Sequence, residues 1–163
     1  MNEKHLEFKV ANKYFAYPIA LIREIMEYPQ IESIAGSPSF ILGVMNLRGQ
    51  LVVVFDIAPL LSLPTVPVGA KTCVIVTEVK LDGDTYVIAN KVDLVRQVVD
   101  VQAQQLETVP QLGGQLDTPL IKGVAKLDNR LLTVLNVNNL LSDELLSWVN
   151  HSISATELGV IDD

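Results

Sequence analysis

Apolar residues along this chain recur in short runs rich in Val, Ile, Leu and aromatics, broken by turn residues, and long windows of helical period are scarce. The pattern predicts an all-β protein with strands at 6–10, 14–17, 41–47, 50–56, 72–79, 85–90, 96–101, 121–127 and 130–136. Arg48-Gly49 and Asp128-Asn129 stand as two-residue breaks between apolar runs. Asp82-Gly83 is a strong turn signal, because Gly takes positive φ without steric cost. Two helical pieces are expected. One is 18–26, where Pro suits a first turn and Ile19, Ile22, Ile25 and Met26 read as a core stripe. The other is 140–149, where Leu141, Leu145, Trp148 and Val149 share a face.

Laying 40–61 over 120–141 reveals an internal repeat at a constant shift of 80 positions, with no gaps. Eight of the 22 pairs are identical, Gly43/Gly123, Leu47/Leu127 and Val54/Val134 among them, against about two by chance. Each unit reads strand, tight turn, strand, helix start. A weaker echo relates Ile22-Arg23-Glu24-Ile25 to Val95-Arg96-Gln97-Val98, upstream of each hairpin. Two related halves, about 10–65 and 72–141, are each too small to bury much apolar surface alone, so two small barrels packed together are expected. The seam between them is a natural groove. Residues 64–70 read as the crossover between halves, and 102–119, with five Gln and a Gly pair, as a long surface loop. Residues 1–9 and a C-terminal helix over 138–150 are expected to pack on the barrels within one domain of 1–150, followed by a flexible acidic tail at 151–163.

The chain has 163 residues, 49% of them hydrophobic and 19% charged, a folded composition of single-domain size. No apolar run is long enough to span a bilayer, and no basic end followed by an apolar segment marks the chain for export, so a cytoplasmic location is expected. A formal net charge of -7 argues against nucleic acid or anionic membrane as partner, and 6% aromatics leave little for base stacking.

Reagents for catalysis are few. His5 and His151 lie near opposite ends in stretches that look exposed, and Cys73 stands in an apolar run where a buried strand residue is the ordinary reading. A single cysteine builds neither a disulfide nor a thiolate metal cluster, and there is no phosphate loop. No cofactor is expected. The distinctive feature is Asn46-Leu47-Arg48-Gly49 at the first hairpin tip, against Lys126-Leu127-Asp128-Asn129 in the repeat. Gly49 serves the turn and Leu47 the core. Arg48 offers a planar fork to a carboxylate, and Glu24 is its candidate partner. A solvated surface ion pair accounts for the same residues.

With Ile22-Arg23-Glu24-Ile25, the run from Pro38 through Gly43-Val44-Met45-Asn46-Leu47-Arg48-Gly49, the strand closing on Val54-Phe55-Asp56-Ile57, and Val92-Asp93-Leu94-Val95-Arg96-Gln97-Val98, the sequence resembles the CheW family of bacterial chemosensory coupling proteins, from Leu6 to about Leu146. The resemblance implies two SH3-like five-stranded β-barrel subdomains and a noncatalytic adaptor joining chemoreceptors to a CheA-type histidine kinase. It implies that a receptor hairpin tip meets Ile19, Ile22, Glu24, Ile25, Asn46, Arg48 and Val98, with apolar anchors for affinity and the charged pair for register. The kinase surface would lie around Leu42, Gly43, Leu51 and Val53. Leu42 stands where the family often has a basic residue, Val53 where it often has proline, and Ala58-Pro59 where a basic residue is usual, which points to a more apolar first-barrel surface. The pathway is then flagellar, pilus-based or another chemosensory system. The competing reading from another class is an enzyme using Cys73.

Overall fold

The computed structural model describes residues 2–107 and 120–140. The strands are β1 (Asn2–Val10), β2 (Lys13–Pro18), β3 (Ile22–Glu27), β4 (Ile41–Leu47), β5 (Gln50–Asp56), β6 (Cys73–Leu81), β7 (Asp84–Val92), β8 (Leu94–Gln102), β9 (Leu106–Glu107), β10 (Ile121–Leu127) and β11 (Arg130–Leu135). One-turn helices α1 (Ile57–Leu60) and α2 (Val137–Leu140) follow the two repeated hairpins at matching places. The expected helix at 140–149 and the tail at 151–163 lie outside the described residues beyond Leu140, as does most of the loop expected at 102–119.

The strands form two sheets, ordered β3-β6-β7-β5-β4 and β8-β1-β2-β11-β10-β9. Each closes on itself through its edge strand. Past β3 the chain returns to the far edge, where Glu32 and Val44 exchange two backbone hydrogen bonds of 2.9 Å. Past β8 a 3-10 turn at Ala103–Gln105 leads into β9, which pairs with β10. Closure leaves each sheet a five-stranded barrel, as expected, with the edge strand used twice.

Sheet membership corrects the expected halves. β1 and β2 belong with β8 to β11, and β6 and β7 belong with β3 to β5, so neither 10–65 nor 72–141 is a barrel by itself. Residues 64–70 join strands of the same sheet. The crossings between sheets are the 3-10 turn at Ile19–Leu21 and the single residue Asp93, which ties back to the β1–β2 turn by accepting from Ala11 N at 2.8 Å. Each repeated hairpin therefore recruits the other half's hairpin by a parallel pairing, β5 with β7 and β11 with β2. Such non-local pairing leaves no mark on local periodicity.

The segment read as a helix at 18–26 is a 3-10 turn followed by a strand. Ile22 and Ile25 are β-branched and suit a strand, and an irregular pairing at Arg23 shifts the faces along it, so Ile22 packs on the inter-barrel core while Met26 packs on the first-barrel core. The expected core stripe is thus split. Ile25 is 45% exposed.

Three apolar clusters hold the molecule. Met45, Val52, Val54, Val74, Val76 and Ala89 fill the first barrel. Ala16, Val101, Ala125, Leu132 and Val134 fill the second with smaller side chains. The largest cluster joins the barrels, with Phe8, Tyr17, Phe55, Ile75, Ile88 and Leu135 at its centre. His5, expected to be exposed, is buried at 1% exposure because β1 is covered on both sides; its Nδ1 lies 3.0 Å from the Glu3 carbonyl oxygen.

Candidate interaction site

Four hairpin and edge elements carry the residues singled out by sequence. At the β4–β5 tip Arg48 and Gly49 both have positive φ, 51° and 87°, the geometry of a two-residue turn matched to strand twist. Asn46 Oδ1 accepts from Gly49 N at 2.8 Å and holds that turn. From it the Arg48 guanidinium reaches β3 and donates to both Glu24 carboxylate oxygens, Nη1 to Oε2 at 2.8 Å and Nη2 to Oε1 at 2.9 Å. The hydrogen bond and charge of Arg48 hold the Glu24 carboxyl below the usual glutamate range, and Glu24 raises Arg48 in return. With Arg48 68% exposed, the pair fixes geometry at the surface and leaves guanidinium donors open to a partner.

The apolar candidates divide. Ile19 and Ile22 are half-buried against the inter-barrel core. Ile25 on β3 and Val98 on β8 are exposed at 45% and 49%, at positions related by the echo between edge strands. Leu42 and Leu51 are half-buried on the β4–β5 hairpin. Val53, however, is 1% exposed and points into the inter-barrel core, and Gly43 is buried against the closing segment. The departures at Val53 and at Ala58, also 1% exposed, therefore do not make the first-barrel surface more apolar; of the three only Leu42 and Pro59 reach it in part.

Two charged clusters escaped the sequence reading. Glu7, inside the second barrel, is fully buried and accepts four hydrogen bonds, from Arg130 Nε and Nη2 (2.9 and 2.8 Å), Arg96 Nη1 (3.0 Å) and Gln97 Nε2 (3.1 Å). Burial pushes its carboxyl up, but the hydrogen bonds from Arg130 and Gln97 and the charges of Arg130 and Arg96 outweigh it, so the net displacement is downward. Tyr14 lies under both guanidinium groups, 5.1 Å from Arg96 and 5.7 Å from Arg130. In the sequence, Leu6-Glu7-Phe8 alternates like a half-exposed strand, which hid the role of Glu7. The second cluster is Asp56 at the end of β5. It caps α1 through Ala58 N (3.0 Å), accepts from Thr65 Oγ1 (3.0 Å) and faces Lys91 Nζ at 3.9 Å. Lys91 Nζ donates to the Val66 carbonyl at 2.6 Å, so a buried ion pair moors the 62–72 loop. The acidic strand end was visible in sequence; its partner, 35 positions later, was not.

Cys73 opens β6, half-buried, with its thiol pushed up by burial against a Val95 backbone hydrogen bond that acts the other way. No helix among the described residues is long and apolar enough to cross a membrane.

Comparison with known proteins agrees with the two-barrel architecture. The family model described as a CheW-like domain matches residues 4–145. The chemotaxis protein CheW of Klebsiella aerogenes is 30% identical over 151 residues, covering 93% of this chain and 89% of that protein. CheW of Bacillus subtilis is 29% identical, covering 87% and 88%. Protein PilI of Pseudomonas aeruginosa is 28% identical over 72% of this chain and 64% of its own. Among solved structures, the scaffolding protein TtCheW of Thermoanaerobacter tengcongensis superposes with a TM-score of 0.74 at 24% identity, over 84% of this chain and 86% of that one, a likeness of fold. The chain belongs to the CheW-like domain family.

Proposed function

We propose that this protein is a noncatalytic scaffold of a chemosensory pathway, coupling chemoreceptors to a CheA-type histidine kinase from the cytoplasmic side of receptor arrays. The single observation that carries the reading is the Glu24–Arg48 clasp. A bidentate pair is built at an exposed hairpin tip, held by the Asn46 turn, where it contributes recognition geometry more than core stability. Ile25, next to Glu24 on β3, and Val98 on the edge strand of the other sheet offer exposed apolar contact, and Ile19 and Ile22 pack toward the inter-barrel core. A receptor hairpin tip entering there would be held by helix-in-groove contacts, with the guanidinium setting register. The kinase regulatory domain would meet the β4–β5 hairpin through Leu42 and Leu51, while Gly43 and Val53 shape that surface from beneath. The names of the relatives, chemotaxis and scaffolding proteins, support this reading.

The test is co-sedimentation of the protein with a chemoreceptor cytoplasmic hairpin fragment and, separately, with a CheA-type regulatory domain. Arg48→Glu should abolish the receptor contact, leave the kinase contact and leave the circular dichroism spectrum unchanged. Undiminished receptor binding by that variant would sink the assignment of the clasp. The likeness to PilI supports a second reading, the same adaptor role in a pilus-motility system; pairing with receptors of one pathway and not the other decides between them.

A further inference from the structure

The echo between the two edge strands extends to a shared irregularity. In the first barrel β3 pairs with β6 as Ile22 with Thr77 and Glu24 with Val76, leaving Arg23 as an extra residue. In the second, β8 pairs with β1 as Val98 with Leu6, Gln97 with Glu7 and Val95 with Phe8, leaving Arg96 as the extra residue. Both edges therefore carry a bulge at an arginine, and a bulge sets which face every residue beyond it takes. The arginines are treated differently. Arg23 is exposed, and among the described residues its one ion pair is with Glu78, at 3.9 Å. Arg96 turns to Glu7, which also holds the next residue, Gln97, and is locked across the barrel by Arg130.

Glu7 occupies the position that Val76 has in the first barrel, each facing an alanine on its other side, Ala16 or Ala89. A fully buried carboxylate where the twin barrel uses an apolar residue needs a reason beyond filling space. We propose that Glu7 is a register pin for β8: by holding Arg96 and Gln97 at the bulge it keeps Val98 outward, at 49% exposure, and Val99 packed against the second-barrel core. A slip of one residue transposes the two. Glu7 is thus a positioning residue for the outer apolar contact, and this consequence for binding rests on the receptor reading above, whereas the register claim does not.

The experiment reads register directly. In the full chain with Cys73→Ser, Val98→Cys and Val99→Cys are made singly, each with and without Glu7→Gln, and thiol labelling by a maleimide is timed. With Glu7 present, the Val98→Cys thiol should react about ten-fold or more faster than the Val99→Cys thiol; Glu7→Gln should bring the two rates within about three-fold or invert them. An unchanged ratio overturns the pin. Should Glu7→Gln fail to fold, Arg96→Gln cuts the same node at its more exposed member and is judged identically. A second arm measures binding of the chemoreceptor hairpin fragment in a cycle of Glu7→Gln and Val98→Ala. Each single change should weaken binding about five-fold or more, and the double should match Val98→Ala alone. Equal additive losses overturn the route through Val98. Failure of the unsubstituted protein to bind the fragment sinks the receptor reading instead, and the labelling ratio still decides the pin.

Discussion

Gly43 and Gly123 are the same residue in the repeat and stand at the same bulge, yet they should respond oppositely to alanine. At Gly43 φ is +145°, a region that side chains rarely enter, and a Cβ would lie 2.0 Å from the Glu32 carbonyl oxygen and 2.9 Å from Ile31 Cγ2. The methyl group therefore has to break the pair of 2.9 Å hydrogen bonds that closes the first barrel between Glu32 and Val44. Losing two backbone bonds costs about 1–3 kcal/mol, and backbone strain adds about 1–3 kcal/mol more, so Gly43→Ala should lose about 2–6 kcal/mol. That is a large part of a typical domain stability of about 5–15 kcal/mol. At Gly123 the backbone is ordinary and the nearest atoms, Glu107 O and Leu106 Cβ, are 3.2 and 3.3 Å from the added carbon. A shift of a few tenths of an ångström relieves them, and alanine also lowers the entropy of the unfolded chain, so Gly123→Ala should stay within about 1 kcal/mol of the parent. Urea melts of the three proteins measure both numbers. Equal destabilisation by the two substitutions would refute the view that closure at Glu32, rather than the repeated motif itself, is what demands glycine.

Removing the mooring of the 62–72 loop by Asp56→Ala should cost about 3–5 kcal/mol in the same melts, because Lys91 is left buried without its counter-charge; Lys91→Met, which keeps the apolar stem, should cost less. For pH, Glu7 and Glu24 both titrate below a free glutamate, so the unfolded chain binds more protons. Their stabilisation is fully present above about pH 4.5 and is lost as pH falls through their folded-state values; Arg130→Gln should move the acid-unfolding midpoint upward, followed by fluorescence or circular dichroism. The half-buried Cys73 thiol, raised by burial, should react with a disulfide reagent near pH 7 much more slowly in the native protein than in urea; rapid native labelling would favour the thiol-enzyme reading over the adaptor.

The hairpins were legible because everything that defines them is local. Strands expected at 41–47 and 50–56 coincide with β4 and β5, and the turn at Arg48-Gly49 has the positive φ angles its residues suggested. The Glu24–Arg48 pair was legible because Arg48, where the repeat has Asp128, offers a planar fork at a hairpin tip and Glu24 lies on the piece before that hairpin. Residues 18–26 were misread because Ile19, Ile22, Ile25 and Met26 satisfy a helical stripe, whereas the strand that follows the 3-10 turn is set by its pairing with β6, which leaves no mark on the local pattern. The exchange of hairpins between halves was illegible in principle: β5 pairs with β7 and β11 with β2 through backbone groups that every sequence possesses.

The same exchange explains why the two clasps differ in kind. Taking β1 from the chain start into the second barrel places that strand between two cores, so every residue from His5 to Phe8 is buried whatever its polarity. A carboxylate there can persist only with hydrogen bonds on both oxygens, and Arg130 and Arg96 supply the charge. In the first barrel the equivalent strand carries Val76, and its charged pair sits outside on Glu24 and Arg48. The outer pair is open to salt and to a partner's charges, whereas the inner carboxylate is buried away from both. Reversing both members of the outer pair should therefore restore its internal contact without restoring receptor binding, because a receptor would meet the guanidinium on the edge strand instead of the hairpin tip. Recovered binding in Glu24→Arg with Arg48→Glu would mean that the pair acts only by holding the hairpin to β3.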